Sequence, residues 1–425
     1  MNNIRVGIYT RKEIRAVFHG EYKHGEEVIS GEKEICEAGW YIPMSEDCSF
    51  SLMDVTIGID FHWERNETQT FKGSLEVMKA KNGELTAVNV LDIEDYLQSV
   101  ISSEMSATSH MELLKAHAVI SRSWALCKIQ RSLQGSAFAC QESEGKRICW
   151  YGSEPHEGFD VCADDHCQRY QGLRAKDHKN AIKAVQETKG EVLCQLGVKE
   201  YEICDARFYK CCGGVTEEFE TCWEDTHFDY LVKVEDNDAR YSLRSSTRRQ
   251  AQGPMNLTTE EGAKEWIMSS PEAFCNTNDK KILSQVLNDY DQETIDFYRW
   301  KVVYSQDELT VLVARHAPQL GKIIDLIPLK RGVSGRIYEL KIVGENESII
   351  IGKELEIRKW LSNSHLYSSA FVVGKDGHTF TLHGAGWGHG VGLCQIGAAV
   401  MAENGYTYKE ILQHYYPNTI LYEQL

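Results

Sequence analysis

Glycine occupies every second position from Gly384 to Gly392 in the stretch HisGlyAlaGlyTrpGlyHisGlyValGlyLeuCysGln, residues 383–395. Glycines at that density let the backbone turn tightly and approach a ligand or another strand closely. His383, Trp387 and His389 stand between them. An aromatic ring and two imidazoles on such a ribbon suit the wall of a cleft, the kind of surface that holds sugars. The same segment also fits a glycine-rich turn beneath a core tryptophan.

The chain has 425 residues, more than one ordinary core accommodates, so two or three subdomains are expected. Hydrophobic residues at 42% and charged residues at 26% fit a globular protein. No apolar run reaches the length of a membrane span. The first ten residues, MetAsnAsnIleArgValGlyIleTyrThr, lack the charged region and apolar core of a secretory signal. The net charge of −17 argues against general nucleic-acid binding, which relies on neutralising phosphates. It also requires any site for an acidic ligand to be locally basic. Ten of the 14 cysteines fall between Cys127 and Cys222, which points to a metal site, local bridges, or both.

Residues 1–84 read as strands, with Asn82-Gly83 as a hairpin turn into LeuThrAlaValAsnVal. Ile93, Tyr96, Leu97, Val100 and Ile101 then trace one apolar helical face that Asp92 can cap. After a polar break, Ser109 and Glu112 have capping-box spacing before a longer helix from about His110 to about Gln130. Its expected core residues are Leu113, Leu114, Ala118, Ile120, Trp124 and Ala125. Residues 132–180 read as an irregular loop rich in cysteine and histidine. Ala181–Lys189 reads as a short helix, and strands are expected around 191–222. Residues 231–300 read as a mainly helical insertion or lid. Strands are expected from Trp300 to Ile351, then a short helix near Lys353–Leu361, then the ribbon. Two helices finish the chain, the second with a Thr407/Glu410 capping box. The class is α+β: a mixed, β-rich core with a few helices lining a cleft, plus the insertion. The expected divisions are 1–84, 85–230, 231–300 and 301–425.

Four constellations carry chemistry. Glu104 lies in the short break between the two helices. A partly desolvated carboxyl there would have a raised pKa and could donate a proton near neutral pH, whereas a solvated loop glutamate would not. On the following helix, Arg122 can hold a substrate carboxylate bidentately or pair with a structural acid, and His117 reads as a core histidine. His156, Cys162 and Cys167 offer three corners of a zinc tetrahedron. Water, His166 or a remote cysteine would supply the fourth, with Cys140 and Cys149 as competitors. A disulfide or free thiols are the alternatives. Lastly, Cys211-Cys212 precedes Gly213-Gly214. Adjacent cysteines rarely bond each other, so each looks elsewhere. The glycines allow a turn that presents Tyr209 and Lys210.

ValAsnValLeuAspIleGluAspTyrLeuGlnSerValIleSerSerGluMet, followed by GluLeuLeuLysAlaHisAlaValIleSerArgSerTrpAla, resembles the signature of SpoIID/LytB domains. GlyTrpGlyHisGlyValGlyLeuCysGlnIleGlyAla with TyrTyrProAsnThr is similar to that family's C-terminal signature. The resemblance covers roughly residues 85–230 and 320–425. Departures are Ser106 for the usual proline, His117 for glutamine, and Cys211, Cys212 and Cys394 for serines.

The resemblance implies a peptidoglycan lytic transglycosylase that cuts peptide-free glycan strands and leaves 1,6-anhydro-muramyl ends. Glu104 would be its catalytic acid. His156, Cys162 and Cys167 would hold a structural zinc. Arg122, Tyr209, Lys210, Trp387, His389 and Gln395 are the expected substrate contacts. The resemblance equally allows a non-catalytic module that binds the wall and enhances a partner amidase. A zinc hydrolase is a third reading, disfavoured because two thiolates suit a structural ion better. An extracytoplasmic location follows from the substrate.

Overall fold

The computed structural model describes residues 3–58, 64–106, 109–132, 139–151, 156–164, 167–173, 179–197, 201–238, 255–286 and 296–423. His166, suggested above as a zinc ligand, lies outside them, as do parts of the 132–180 loop and of the 231–300 insertion.

The protein is α+β, as its sequence implies. Residues 3–92 supply eight strands of a curled nine-stranded sheet, and the ninth is Val161–Cys162. Strand Asn3–Arg11 runs antiparallel to Leu85–Asp92, which pairs in turn with Ser74–Lys79 across the Asn82-Gly83 turn. Gly83 has φ +85°, the left-handed conformation such a turn demands.

Asp92 ends the last of these strands and caps the next element, its carboxylate accepting from Glu94 N–H at 2.9 Å. Helix α1 (Ile93–Glu104) buries Ile93, Tyr96, Leu97, Val100 and Ile101, the face read from the sequence. Helix α2 (Met111–Ser132) follows, with all six of its expected core residues buried. The expected Ser109/Glu112 capping box does not form. Ser109 Oγ donates instead to Gln285 O at 2.7 Å, and the Glu112 N–H goes to His110 Nδ1 at 3.3 Å. Helix α3 (Lys179–Glu187) packs across both. These helices and the sheet share one core from Ile4 to Tyr416.

A second core gathers residues between Trp300 and Leu382. Here Arg299–Ser305, Thr379–Ala385 and Phe371–Asp376 make a three-stranded sheet, and Ile323–Arg331, Ile337–Gly344 and Ser348–Gly352 belong to a five-stranded one. Among the strands expected from Trp300 to Ile351 stands a helix, Gln306–Ala314. Its N-terminus is a full capping box of Ser305 and Glu308, and that cap outweighs the β-branched residues inside it. The described residues of the 132–180 loop include regular structure. Ala139–Ser143 and Lys146–Trp150 form a hairpin that joins the five-stranded sheet. Cys140 and Cys149 face each other across it and form a disulfide, so they do not compete for metal.

Among the described residues, no helix is long and apolar enough to cross a membrane. The chain closes with helices Gln395–Glu403 and Tyr408–Tyr415 and a strand, Thr419–Glu423, on Glu191–Gln195. The Thr407/Glu410 box forms as expected.

Candidate active site and metal centre

Glu104 is the last residue of α1. Met105 after it is extended and 1% exposed, so its side chain anchors the helix end in the core. Glu104 itself is half-buried. Its Oε1 accepts the backbone N–H of Arg169 at 3.2 Å. The same segment is tied along α1. Tyr96 OH donates to Gln168 Oε1 at 3.0 Å, Ser99 Oγ to Gly172 O at 2.8 Å, and Gln171 N–H to Ser103 Oγ at 3.3 Å. The half-buried carboxylate is thereby held against the segment 168–172.

That segment begins at the cysteine loop. Strand Val161–Cys162 pairs in parallel with Asn3–Arg11, which fixes Cys162. A turn from Asp164 O to Cys167 N–H at 2.9 Å returns Cys167 toward it. His156 stacks on Phe159, with ring centroids 4.8 Å apart, and its Nε2 is 3.2 Å from Cys167 Sγ. The ligand atoms of His156, Cys162 and Cys167 all lie within 4.8 Å of one another. One imidazole and two soft sulfurs at this spacing fit a single zinc ion. The Cys162 thiol is pushed up by its hydrogen bond to Cys167 and by burial. Zinc binding here would release the thiol protons.

The remaining expected contacts divide. Tyr209 lies on strand Phe208–Tyr209, which pairs in parallel with Leu393–Cys394 of the ribbon. Its ring meets His389 edge-on at 5.2 Å. Its hydroxyl is buried with no hydrogen-bond partner among the described residues. Lys210 Nζ donates to Val286 O, at the end of helix Lys280–Val286. This helix also closes the gap after Glu104, because Gln285 O accepts from Ser106 N–H at 3.0 Å. Lys210 and the Glu104 loop thus meet on one short helix.

His389 is half-buried beside Trp223, with centroids 5.0 Å apart. Burial and the nearby Arg207, Arg336 and Arg358 hold its pKa well below the usual histidine value. Its Nδ1 accepts Val391 N–H at 3.0 Å, so the neutral ring carries its proton on Nε2. Trp387 is half-buried between Phe297 and Tyr367, at 4.7 and 4.6 Å.

Two expectations are corrected. Arg122 is 1% exposed. Its Nε and Nη2 donate to both oxygens of Glu94, at 2.8 and 2.6 Å, and its Nη1 donates to Glu191 O at 3.0 Å. It is a structural ion pair and offers nothing to a substrate. Gln395 is 2% exposed. Its amide donates to His117 Nε2 at 3.1 Å, a core contact. His117 is fully buried, and burial plus the Lys210 ammonium push its pKa down to about 3.

Sequence reasoning missed two groups that position the ribbon. Arg336, fully buried, donates to Gly388 O at 3.2 Å and to Ser334 Oγ at 2.8 Å. Gly390 has φ +88°, and a Cβ there would sit 2.4 Å from the Arg336 guanidinium carbon. Its glycine is thus required by packing. Glu217, fully buried, accepts from Val333 N–H, Ser334 N–H and Ser334 Oγ at 3.0, 3.2 and 2.6 Å. It joins the two cores. Neither residue lies in a periodic pattern that would have marked it.

Residues 81–194 match the stage II sporulation protein family, SpoIID. Residues 217–392 match a domain of unknown function, DUF8618. The chain is 25% identical to the amidase enhancer of Bacillus subtilis over 344 residues, 76% of this chain and 40% of that protein. It is 23% identical to stage II sporulation protein D of Bacillus subtilis over 356 residues, 79% of this chain and 76% of that protein. A shorter stretch of 69 residues, 16% of this chain, is 41% identical to stage II sporulation protein D of Bacillus amyloliquefaciens and covers 20% of it. The match thus spans well under half the length of the amidase enhancer. These likenesses support a function connected with the cell wall. The SpoIID match over residues 81–194, with relatives named amidase enhancer and stage II sporulation protein D, supports the SpoIID/LytB resemblance read from the sequence.

Proposed function

We propose that the protein is a peptidoglycan lytic transglycosylase acting outside the cytoplasm, with Glu104 as its acid and base. The observation that carries this reading is the Glu104 carboxylate, half-buried at the end of α1 and oriented by Arg169 N–H. A glycoside hydrolase ordinarily needs a second carboxylate to activate water. A transglycosylase needs only one. The Glu104 carboxyl gives its proton to the bridging oxygen as the bond from that oxygen to muramyl C1 breaks. The C6 hydroxyl of the same sugar then bonds to C1, and its proton returns to Glu104. Neither water nor an external reductant is consumed. Removal of the stem peptide leaves a lactyl carboxylate on the sugar. Lys210, whose ammonium also donates to Val286 O, would supply the counter-charge. His389 and Trp387, both half-buried on the ribbon, would line the groove.

When bound, zinc at His156, Cys162 and Cys167 would brace the loop that ends at Arg169. The reading predicts anhydro-muramyl products from peptide-free glycan, identified by mass. The name of the amidase-enhancer relative favours a second reading, a wall-binding module that stimulates an amidase. No anhydro product from any glycan, together with faster turnover of an added amidase, would select that second reading.

A further inference from the structure

Cys212, Asp236, Cys275 and Cys394 come from four separate places in the chain and converge beside the ribbon. Their ligand atoms all lie within 4.8 Å of one another, and each residue is 3% exposed or less. Cys212 Sγ and Cys275 Sγ are 3.3 Å apart. Around one zinc ion, with Zn–S of about 2.3 Å, sulfurs at the corners of a tetrahedron lie about 3.8 Å apart. The observed spacing suits a single ion and is too tight for ligands at separate corners of an iron–sulfur cube.

The surroundings are those of thiolates and a bound carboxylate. Cys212 N–H and Gly397 N–H donate to Cys394 Sγ at 3.2 and 3.5 Å, and Gly214 N–H donates to Cys212 Sγ at 3.3 Å. Cys394 also caps helix Gln395–Glu403, so its sulfur sits at the positive end of that helix. Asp236 is oriented by Tyr415 OH on Oδ1 at 2.5 Å and by Cys275 N–H on Oδ2 at 2.9 Å. Such outer partners typically aim metal ligands. Among the described residues no lysine or arginine pairs with Asp236, and a carboxylate buried without a counter-ion is costly. Cys275 and Asp236 lie in the 231–300 segment.

We propose that Cys212, Asp236, Cys275 and Cys394 bind a second zinc ion, which fastens the 231–300 segment to the base of the glycine ribbon. The site is structural: four protein ligands fill a tetrahedron and leave no position for substrate.

The test counts zinc in the reduced full chain. Wild type is expected to carry two equivalents. A Cys162→Ser/Cys167→Ser protein is expected to keep one, whose X-ray absorption shows three sulfurs and one oxygen. Adding Cys275→Ser is expected to remove it, whereas adding Cys204→Ser, a buried cysteine outside the cluster, leaves it. A Cys162→Ser/Cys167→Ser protein without zinc, or with zinc lacking three sulfur neighbours, would overturn the proposal. So would recovery of a Cys212–Cys275 disulfide by peptide mapping without reduction. The sulfur count decides the matter even where the Cys275→Ser variant fails to fold.

Discussion

Arg169 donates its backbone N–H to Glu104 Oε1 at 3.2 Å, two residues after Cys167. The candidate catalytic carboxylate and the candidate zinc loop are therefore one mechanical unit. The segment 168–172 lies along α1 through Tyr96, Ser99 and Ser103. Its start is set by His156, Cys162 and Cys167. Metal at those residues would act on Glu104 through the backbone.

Zinc removal from this loop is thus expected to act through structure. Chelation should raise amide hydrogen exchange at residues 168–172, and activity should fall in step with it. Immediate loss of turnover with unchanged exchange would instead assign the ion a direct chemical part.

Arg122→Ala should be costly without being specific to substrate. It strands the Glu94 carboxylate, of which 17% is exposed. Breaking one partner of a buried pair typically costs about 3–5 kcal/mol. Urea unfolding should show that loss, while KM for glycan stays unchanged in the folded fraction. A raised KM at unchanged stability would return Arg122 to the substrate site.

His117 predicts a pH dependence. In the unfolded chain its imidazole protonates near 6.5, but in the fold it resists until about 3. Between those values the unfolded state binds one more proton, so its contribution is intact above 6.5 and is lost as pH falls toward 3. The slope is about 1.4 kcal/mol per pH unit. The groups facing it are Ser121, Gln395 and the Lys210 ammonium. His117→Gln should flatten the fall of the urea midpoint between pH 6.5 and 5 by about one proton. An unchanged slope would mean that the imidazole charges within the fold.

Local order was legible in the sequence wherever it rests on near neighbours. Asp92 as a cap, the apolar face of α1, the α2 core and the Thr407/Glu410 box all follow from spacings of three or four residues. The Ser109/Glu112 box failed because a residue from far along the chain, Gln285, took the serine hydroxyl. The helix Gln306–Ala314 went unread because its β-branched interior hid the Ser305/Glu308 cap. At the site, the family resemblance singled out Glu104 and His156, Cys162 and Cys167, and the fold brings the ligand atoms of the last three within 4.8 Å of one another. Arg122 and Gln395 were misread because their partners, Glu94 and His117, lie 28 and 278 residues away. The partners of Cys212 were hidden for the same reason, at separations of 63 and 182 residues.

The central claim is that Glu104 lends and reclaims a proton. The most direct measurement compares wild type and Glu104→Gln on peptide-free glycan, with products weighed and folding checked by circular dichroism and zinc content. Glutamine keeps an oxygen for Arg169 N–H but has no acidic proton. The account predicts wild-type fold and metal with anhydro-muramyl release reduced at least about a hundredfold, the scale of general acid catalysis. Undiminished release by the folded variant would contradict it.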